Sequence, residues 1–298
     1  MKNNGNKEYP DIFLAGTPKS GTTFLFDLLA QHPAISPSDP KEPFYHVDFE
    51  NPYRSKKTDY RAFFRLPGMH MDGTSQTLYQ KQVLQELIHL NEKPYVLVAL
   101  RDPAERVLSS FQFTSHNLAA VKSSLTFDRY VEILLSGSTN ELHPYCSNQE
   151  AFFSLSQELV YSHYYAHLEA WRQVVGEGNL KVIVFEWLKQ NIDSEMREIL
   201  GFLGLPEMFD FNLENVERNS SQGIRNRDLH FFLRSIYRQL GYRIPFKNLV
   251  KSIYGFFQHE VASKENHEEP MRRLRAHFQP HNRKLSQDFG LDLSSWQM

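Results

Sequence analysis

The chain has 298 residues, 41% of them hydrophobic, enough to bury one large core. A formal net charge of −2 leaves no overall basic excess for nucleic acid, and a single cysteine, Cys146, excludes an internal disulfide and points to a reducing cytoplasm. No apolar run approaches the ~20 residues of a membrane span, and residues 1–8 lack the apolar stretch of a signal peptide.

Residues 1–9 read as a disordered lead-in. Residues 12–15, Ile-Phe-Leu-Ala, form a strand-like run that ends in Gly16. A short loop follows, and Gly21 opens an amphipathic, helix-like run over 22–31. Strand, glycine loop and helix together make a phosphate cradle, because backbone N–H groups and the positive helix end converge where the loop turns in. Pro18, Lys19, Ser20, Gly21, Thr22 and Thr23 are its candidate phosphate-binding residues, with Lys19, Ser20, Thr22 and Thr23 adding side-chain donors. Gly16 and Gly21 have the spacing of the nucleotide loop G-x-x-x-x-G-K-[ST], but Thr22 occupies the lysine slot and the lysine sits inside the loop.

Lys41-Glu42-Pro43-Phe44-Tyr45-His46 comes next, and then Asp72-Gly73-Thr74-Ser75. Residues 95–100, Tyr-Val-Leu-Val-Ala-Leu, read as a strand buried on both faces of a parallel sheet. That run feeds directly into Arg101-Asp102-Pro103, where Asp102 suits an N-cap and Pro103 the first helical position. Ser109 falls two turns into the helix so predicted. Further on, 142–148 reads as a loop, 159–175 as a helix with an aromatic, polar face (Tyr161, Tyr164, Tyr165, Trp171), and 180–185 as a strand. His163 and His167 are spaced i, i+4, without the glutamate of an H-E-x-x-H zinc motif, so they read as a structural pair. Residues 227–298 read as mainly helical. Within them 264–270 is a candidate mobile loop, Arg272, Arg273 and Arg275 a polar helix face with Leu274 and Phe278 turned inward, and His277 and His281 surface or interface residues. Alternating strands and helices predict one α/β domain over 1–298 with a central parallel sheet flanked by helices.

The order Pro18-Lys19-Ser20-Gly21-Thr22-Thr23 resembles the 5′-phosphosulfate loop of sulfotransferases that use 3′-phosphoadenosine 5′-phosphosulfate (PAPS). The strand–Arg-Asp-Pro–helix–Ser unit is similar to their 3′-phosphate motif, and Lys41-Glu42-Pro43 to a segment of the carbohydrate-type and bacterial members. The closing stretches 278–285 and 289–296 are similar to the tail of that family. The resemblance implies a P-loop-NTPase-like three-layer fold, PAPS as donor, adenosine 3′,5′-bisphosphate (PAP) as product, no metal requirement, and a hydroxyl-bearing acceptor. It implies that Arg101 and Ser109 hold the 3′-phosphate, joined by a loop around Gly223 with Arg225 or Arg227. It implies that Lys19 stabilises charge on the leaving phosphate and that Glu42 is the general base, with His46 as the alternative base and Lys41 near the sulfuryl group or the acceptor. Many carbohydrate-type members carry Glu-Lys-[Thr/Ser]-Pro where this chain has Asp72-Gly73-Thr74-Ser75; with Gly73 in the lysine place, Lys41 is the candidate replacement charge and Asp72 a candidate for orienting the acceptor. Phe44, Tyr45, Phe111 and Phe113 are candidate acceptor-pocket residues, and Cys146 reads as an inert thiol. An ATP-dependent P-loop kinase and a nucleotide-binding relative without turnover are the competing readings.

Overall fold

The computed structural model describes residues 9–47, 59–214, 216 and 267–296. These gather into two compact units, one from the described parts of 1–101, 164–219 and 281–297, the other from those of 102–163 and 220–280.

The first unit is built on five parallel strands: β1 (Ile12–Gly16), β2 (Ile35–Pro37), β3 (Met69–Asp72), β4 (Tyr95–Leu100) and β5 (Leu180–Val184), in the order β2-β3-β1-β4-β5. The central strands are buried on both faces, as their unbroken apolar runs require. Successive side chains point to opposite faces. Ile12, Leu14, Leu97 and Ala99 pack with Leu25, Leu28 and Leu29 of helix α1 (Thr22–Leu29) and with Met196, Ile199 and Leu200 of helix Ile192–Phe202. Phe13, Ala15, Val96 and Val98 pack on the other face with Leu168 and Trp171 of helix Tyr164–Val175 and with Leu285 and Trp296. The result is the expected three-layer, P-loop-NTPase-like arrangement.

The second unit is helical. Helices Pro103–Gln112, Phe127–Ser136 and Gln149–Ser156 surround Val107, Phe111, Tyr130 and Leu155. Asp102 caps the first of them by accepting from the Ala104 N–H at 2.9 Å, as the sequence predicts. Arg106, fully buried, pairs with Glu158 at 2.7 Å and donates to Ser162 at 2.7 Å, while Ser110 donates to the other Glu158 oxygen at 2.7 Å. Such a network is tolerated inside a core because both charges are hydrogen-bonded.

Several expectations are corrected here. The helix expected over 159–175 is two, Glu158–Ser162 and Tyr164–Val175, broken at His163, whose ψ of 67° leaves the helical region. The break separates two sets of buried contacts: Glu158 and Ser162 bind Arg106, while Tyr164 and Trp171, placed on a polar face by the sequence reading, are core residues. His163 and His167 are therefore not a pair. The Nε2 of His163 is 3.1 Å from that of His277, and the ring of His167 packs edge-on to Tyr79. Phe111 is a core residue stacked on Tyr130, not a pocket lining. The 142–148 loop is largely a 3-10 turn, Thr139–Tyr145, with Leu142 buried. Residues 264–266 lie outside the described residues, but from Glu268 the candidate loop is already helix Glu268–Phe289. Pro270 is tolerated in its first turn, where N–H groups lack intrahelical partners. Leu274 and Phe278 are buried, and Arg272 pairs with Glu269 and Arg275 with Glu105, as the polar-face reading expects. Burial pushes the Cys146 thiol up to about 11, in keeping with an inert group.

Candidate functional site

Among parallel strands, ligand crevices lie at the carboxyl ends, where neighbouring strands send the chain in opposite directions. Here β1 leads to β2 on one side and β4 to β5 on the other, so the switch point falls between the β1 loop and Arg101.

The β1 loop is locked from behind. The Thr17 N–H donates to the Ala99 carbonyl at 2.8 Å, and the Thr17 hydroxyl reaches the same oxygen at 3.2 Å. The Thr17 and Ser20 hydroxyls are 2.6 Å apart, and the Ser20 N–H donates to the Thr17 carbonyl at 3.2 Å. Both residues are fully buried, and the Ser20 hydroxyl faces Thr17 within the loop. Thr17 itself was not singled out in the sequence.

Two residues of this turn are left-handed, Lys19 at φ 69° and Gly21 at φ 79°. For Lys19 this costs about 1–2 kcal/mol, held in place by the surrounding hydrogen bonds. At Gly21 even a β-carbon is excluded, since it would lie 2.1 Å from the Phe185 ring at the end of β5. Helix α1 starts immediately after, so the first-turn amides of Thr22 and Thr23 point out of the helix end without intrahelical partners. Thr22 is buried, and Pro18, Lys19 and Thr23 are half-buried. Arg101, also half-buried, donates to the Lys19 carbonyl at 3.5 Å, and its own carbonyl accepts from the Tyr164 hydroxyl at 2.9 Å.

The other flank of β1 carries the acidic side of the site. Register pairs Phe13 with Asp72, so residues 73–75 run alongside the end of β1. A β-carbon on Gly16 would lie 3.1 Å from the Ser75 carbonyl oxygen, which makes glycine the residue that lets the two strand ends touch. Ser75 donates to Glu42 Oε1 through its hydroxyl at 2.6 Å and through its N–H at 3.3 Å. Lys41 Nζ donates to the same oxygen at 3.1 Å and to the Gly73 carbonyl at 3.1 Å. The side chains of Lys41 and Glu42 keep 20% and 30% exposure, so a solvent-borne group can reach them. Lys41 Nζ also lies 5.6 Å from the centroid of the Phe26 ring.

Asp72 is not available to an acceptor. It is buried, with Oδ1 accepting from the Thr74 N–H at 2.8 Å and Oδ2 from the Tyr60 hydroxyl at 2.7 Å, so it braces the turn. Burial, with the Glu42 charge nearby, holds its carboxyl above the ordinary aspartate range against the pull of these hydrogen bonds. His46 is buried among the rings of Tyr9, Tyr60, Tyr45 and Phe13, with centroids 4.7, 4.7, 5.0 and 5.9 Å away. Tyr45 packs on Tyr60 at 4.8 Å. Ser109 lies half-buried on helix Pro103–Gln112, Phe113 is exposed, and Gly223, Arg225 and Arg227 lie outside the described residues.

A family model described as a sulfotransferase domain matches residues 9–228. The bifunctional heparan sulfate N-deacetylase/N-sulfotransferase 2 of Homo sapiens is 26% identical over 214 residues, covering 68% of this chain and 23% of the relative. Sulfotransferase 6B1 of Danio rerio is 22% identical over 201 residues, covering 66% and 57%. The chain thus spans about a quarter and somewhat over half of the lengths of these relatives. A sulfotransferase structure from Alicyclobacillus acidocaldarius shares the fold with a TM-score of 0.60 at 19% identity, covering 98% of this chain and all of the other.

Proposed function

This chain belongs to the sulfotransferase family, enzymes that move a sulfuryl group between molecules, and we propose that its donor is PAPS, its acceptor a hydroxyl, and its general base Glu42. The observation that carries this reading is the joining of a phosphate cradle to a held carboxylate: Ser75 contacts Gly16 at the mouth of the loop and binds Glu42 with its hydroxyl.

The residues present suit such a donor. Lys19 and the first-turn amides of α1 offer positive charge and N–H donors to a 5′-phosphosulfate. Arg101, on the neighbouring strand end, offers a planar fork matched to the 3′-phosphate. Ser109, Gly223, Arg225 and Arg227 keep their donor assignments on the family resemblance. PAPS supplies the sulfuryl group and a stable leaving bisphosphate. Lys19 balances the charge that grows on the leaving phosphate oxygens, worth about 3–4 kcal/mol for one well-placed donor. Glu42 takes the acceptor proton, a role worth about 10²–10⁴ in rate. Lys41 lies against Glu42 and gives the acceptor side a positive charge in the place that Gly73 leaves without one. The aromatic packing around His46 supports a core role for it and leaves the base to Glu42. Transfer without metal follows from the family resemblance: Thr22 replaces the lysine that reaches the phosphates in the kinase-type loop, while Thr23 keeps that loop's Ser/Thr place. The N-sulfotransferase name of the human relatives makes an amine the second acceptor class worth assaying.

The test is PAP release from PAPS with p-nitrophenol, glucose or glucosamine present. Glu42→Gln is expected to lose at least a hundredfold in rate while PAP affinity stays within twofold. Retention of more than a tenth of the wild-type rate, about 1.4 kcal/mol of barrier, would remove Glu42 as the base.

A further inference from the structure

Three donors converge on one oxygen of Glu42. The Ser75 hydroxyl, the Ser75 N–H and Lys41 Nζ lie 2.6, 3.3 and 3.1 Å from Oε1, and among the described residues no hydrogen bond reaches Oε2. A carboxylate on a flexible side chain samples several orientations, and a general base must stand within hydrogen-bond reach of the proton it takes. We propose that Ser75 is the positioning residue of this site: with Lys41 it occupies Oε1, fixes the plane of the carboxylate and presents Oε2 to the acceptor proton. This rests on the reading of Glu42 as the base.

The surroundings favour that role. Ser75 is buried, and its carbonyl is set against Gly16, so its hydroxyl is anchored on the same strand end that carries the phosphate loop. Orientation of the base is thereby tied to the loop that would hold the donor. Gly73 completes the device. A β-carbon there would lie 2.9 Å from Lys41 Cγ and 2.6 Å from the Phe26 ring, so glycine opens the path by which the lysine stem crosses to Oε1. The Lys41 backbone is pinned as well, its carbonyl accepting from the Ser38 hydroxyl at 2.7 Å and the Gly73 N–H at 3.1 Å. In the family pattern quoted above, the place of Ser75 is held by proline, which has neither an N–H nor a hydroxyl to offer.

Ser75→Ala is expected to lower kcat for PAP release about tenfold, with PAP affinity and the KM for PAPS within twofold. Ser75→Thr, which keeps the hydroxyl, should restore most of the rate. Ser75→Ala added to Glu42→Gln should cause no further loss, since no carboxylate remains to orient. The proposal is overturned if Ser75→Ala keeps more than half of kcat, if its defect lies in PAP affinity, or if it lowers the Glu42→Gln rate by the same factor as the wild-type rate. Should the alanine variant fold poorly, Ser75→Cys, close in size but a weak donor, replaces it with the same expected loss. Glu42→Gln inactive beside a fully active Ser75→Ala sinks this inference alone. A near-wild-type Glu42→Gln, or a wild type no faster than buffer, sinks the functional reading beneath it as well.

Discussion

The loop proposed for the 5′-phosphosulfate draws its parts from one continuous stretch, Thr17 to Thr23, whereas the base side joins Glu42 to a serine 33 residues further along. The loop is stabilised by neighbours in sequence, Thr17 on Ser20, and by hydrogen bonds to the adjacent strand end, from Thr17 to the Ala99 carbonyl and from Arg101 to the Lys19 carbonyl. The Glu42 carboxylate is held only because β2 and β3 lie side by side and bring Lys41, Gly73 and Ser75 together. Affinity for an anionic donor can therefore be written into a local motif, while proton transfer depends on the topology of the sheet. The two sides should also fail differently when altered.

The largest effect is expected at Lys19, where both functions meet. Lys19→Ala should lower PAP release by about 10³ and weaken PAP binding at least tenfold, read by steady-state kinetics and calorimetry. Unchanged PAP affinity in this variant, or lost affinity in Glu42→Gln, would break the division between the two sides. Gly21→Ala comes next. It combines a left-handed backbone with a clash against Phe185, so PAP affinity should fall about tenfold. Shrinking the ring in Gly21→Ala/Phe185→Ala should restore only part of it, because the backbone strain at φ 79° remains. The smallest effect concerns the turn that supports the base. The folded-state Asp72 carboxyl ionises above its unfolded value of about 3.9, so the native state holds the extra proton between those values. Native stability accordingly falls as pH rises from about 4 through the folded value. Asp72→Asn removes this slope. Its stability deficit, expected to be about 1 kcal/mol near pH 4, should shrink as the pH rises, as followed by thermal melts.

The same contrast explains what could be read from sequence. The β1 loop, β4 with Arg101 and the Asp102 cap were legible because strand, turn and helix signals follow one another directly. The strands β2 and β3 were not, being three and four residues long, with β2 ending at Pro37. Without them nothing in the sequence relates Ser75 to Glu42, and Asp72 passes for a site residue rather than a brace. A hydroxyl in a glycine loop does not announce in sequence which way it faces, so the closeness of Ser20 to Thr17 was not legible either. His163 misled in the opposite sense: an unbroken aromatic run hid a helix break, and the partner that matters, His277, lies 114 residues away.

The most direct measurement is thermal unfolding with PAP, with ATP and Mg²⁺, and with AMP, PAP and AMP being run in EDTA. At a hundredfold excess over Kd, binding adds about 2.7 kcal/mol, a rise of about 4 °C for a chain of 298 residues. The account predicts that rise with PAP in EDTA and much less with AMP, which lacks the 3′-phosphate that Arg101 is assigned to hold. A rise only with ATP and Mg²⁺ would contradict it and make the loop that of a kinase.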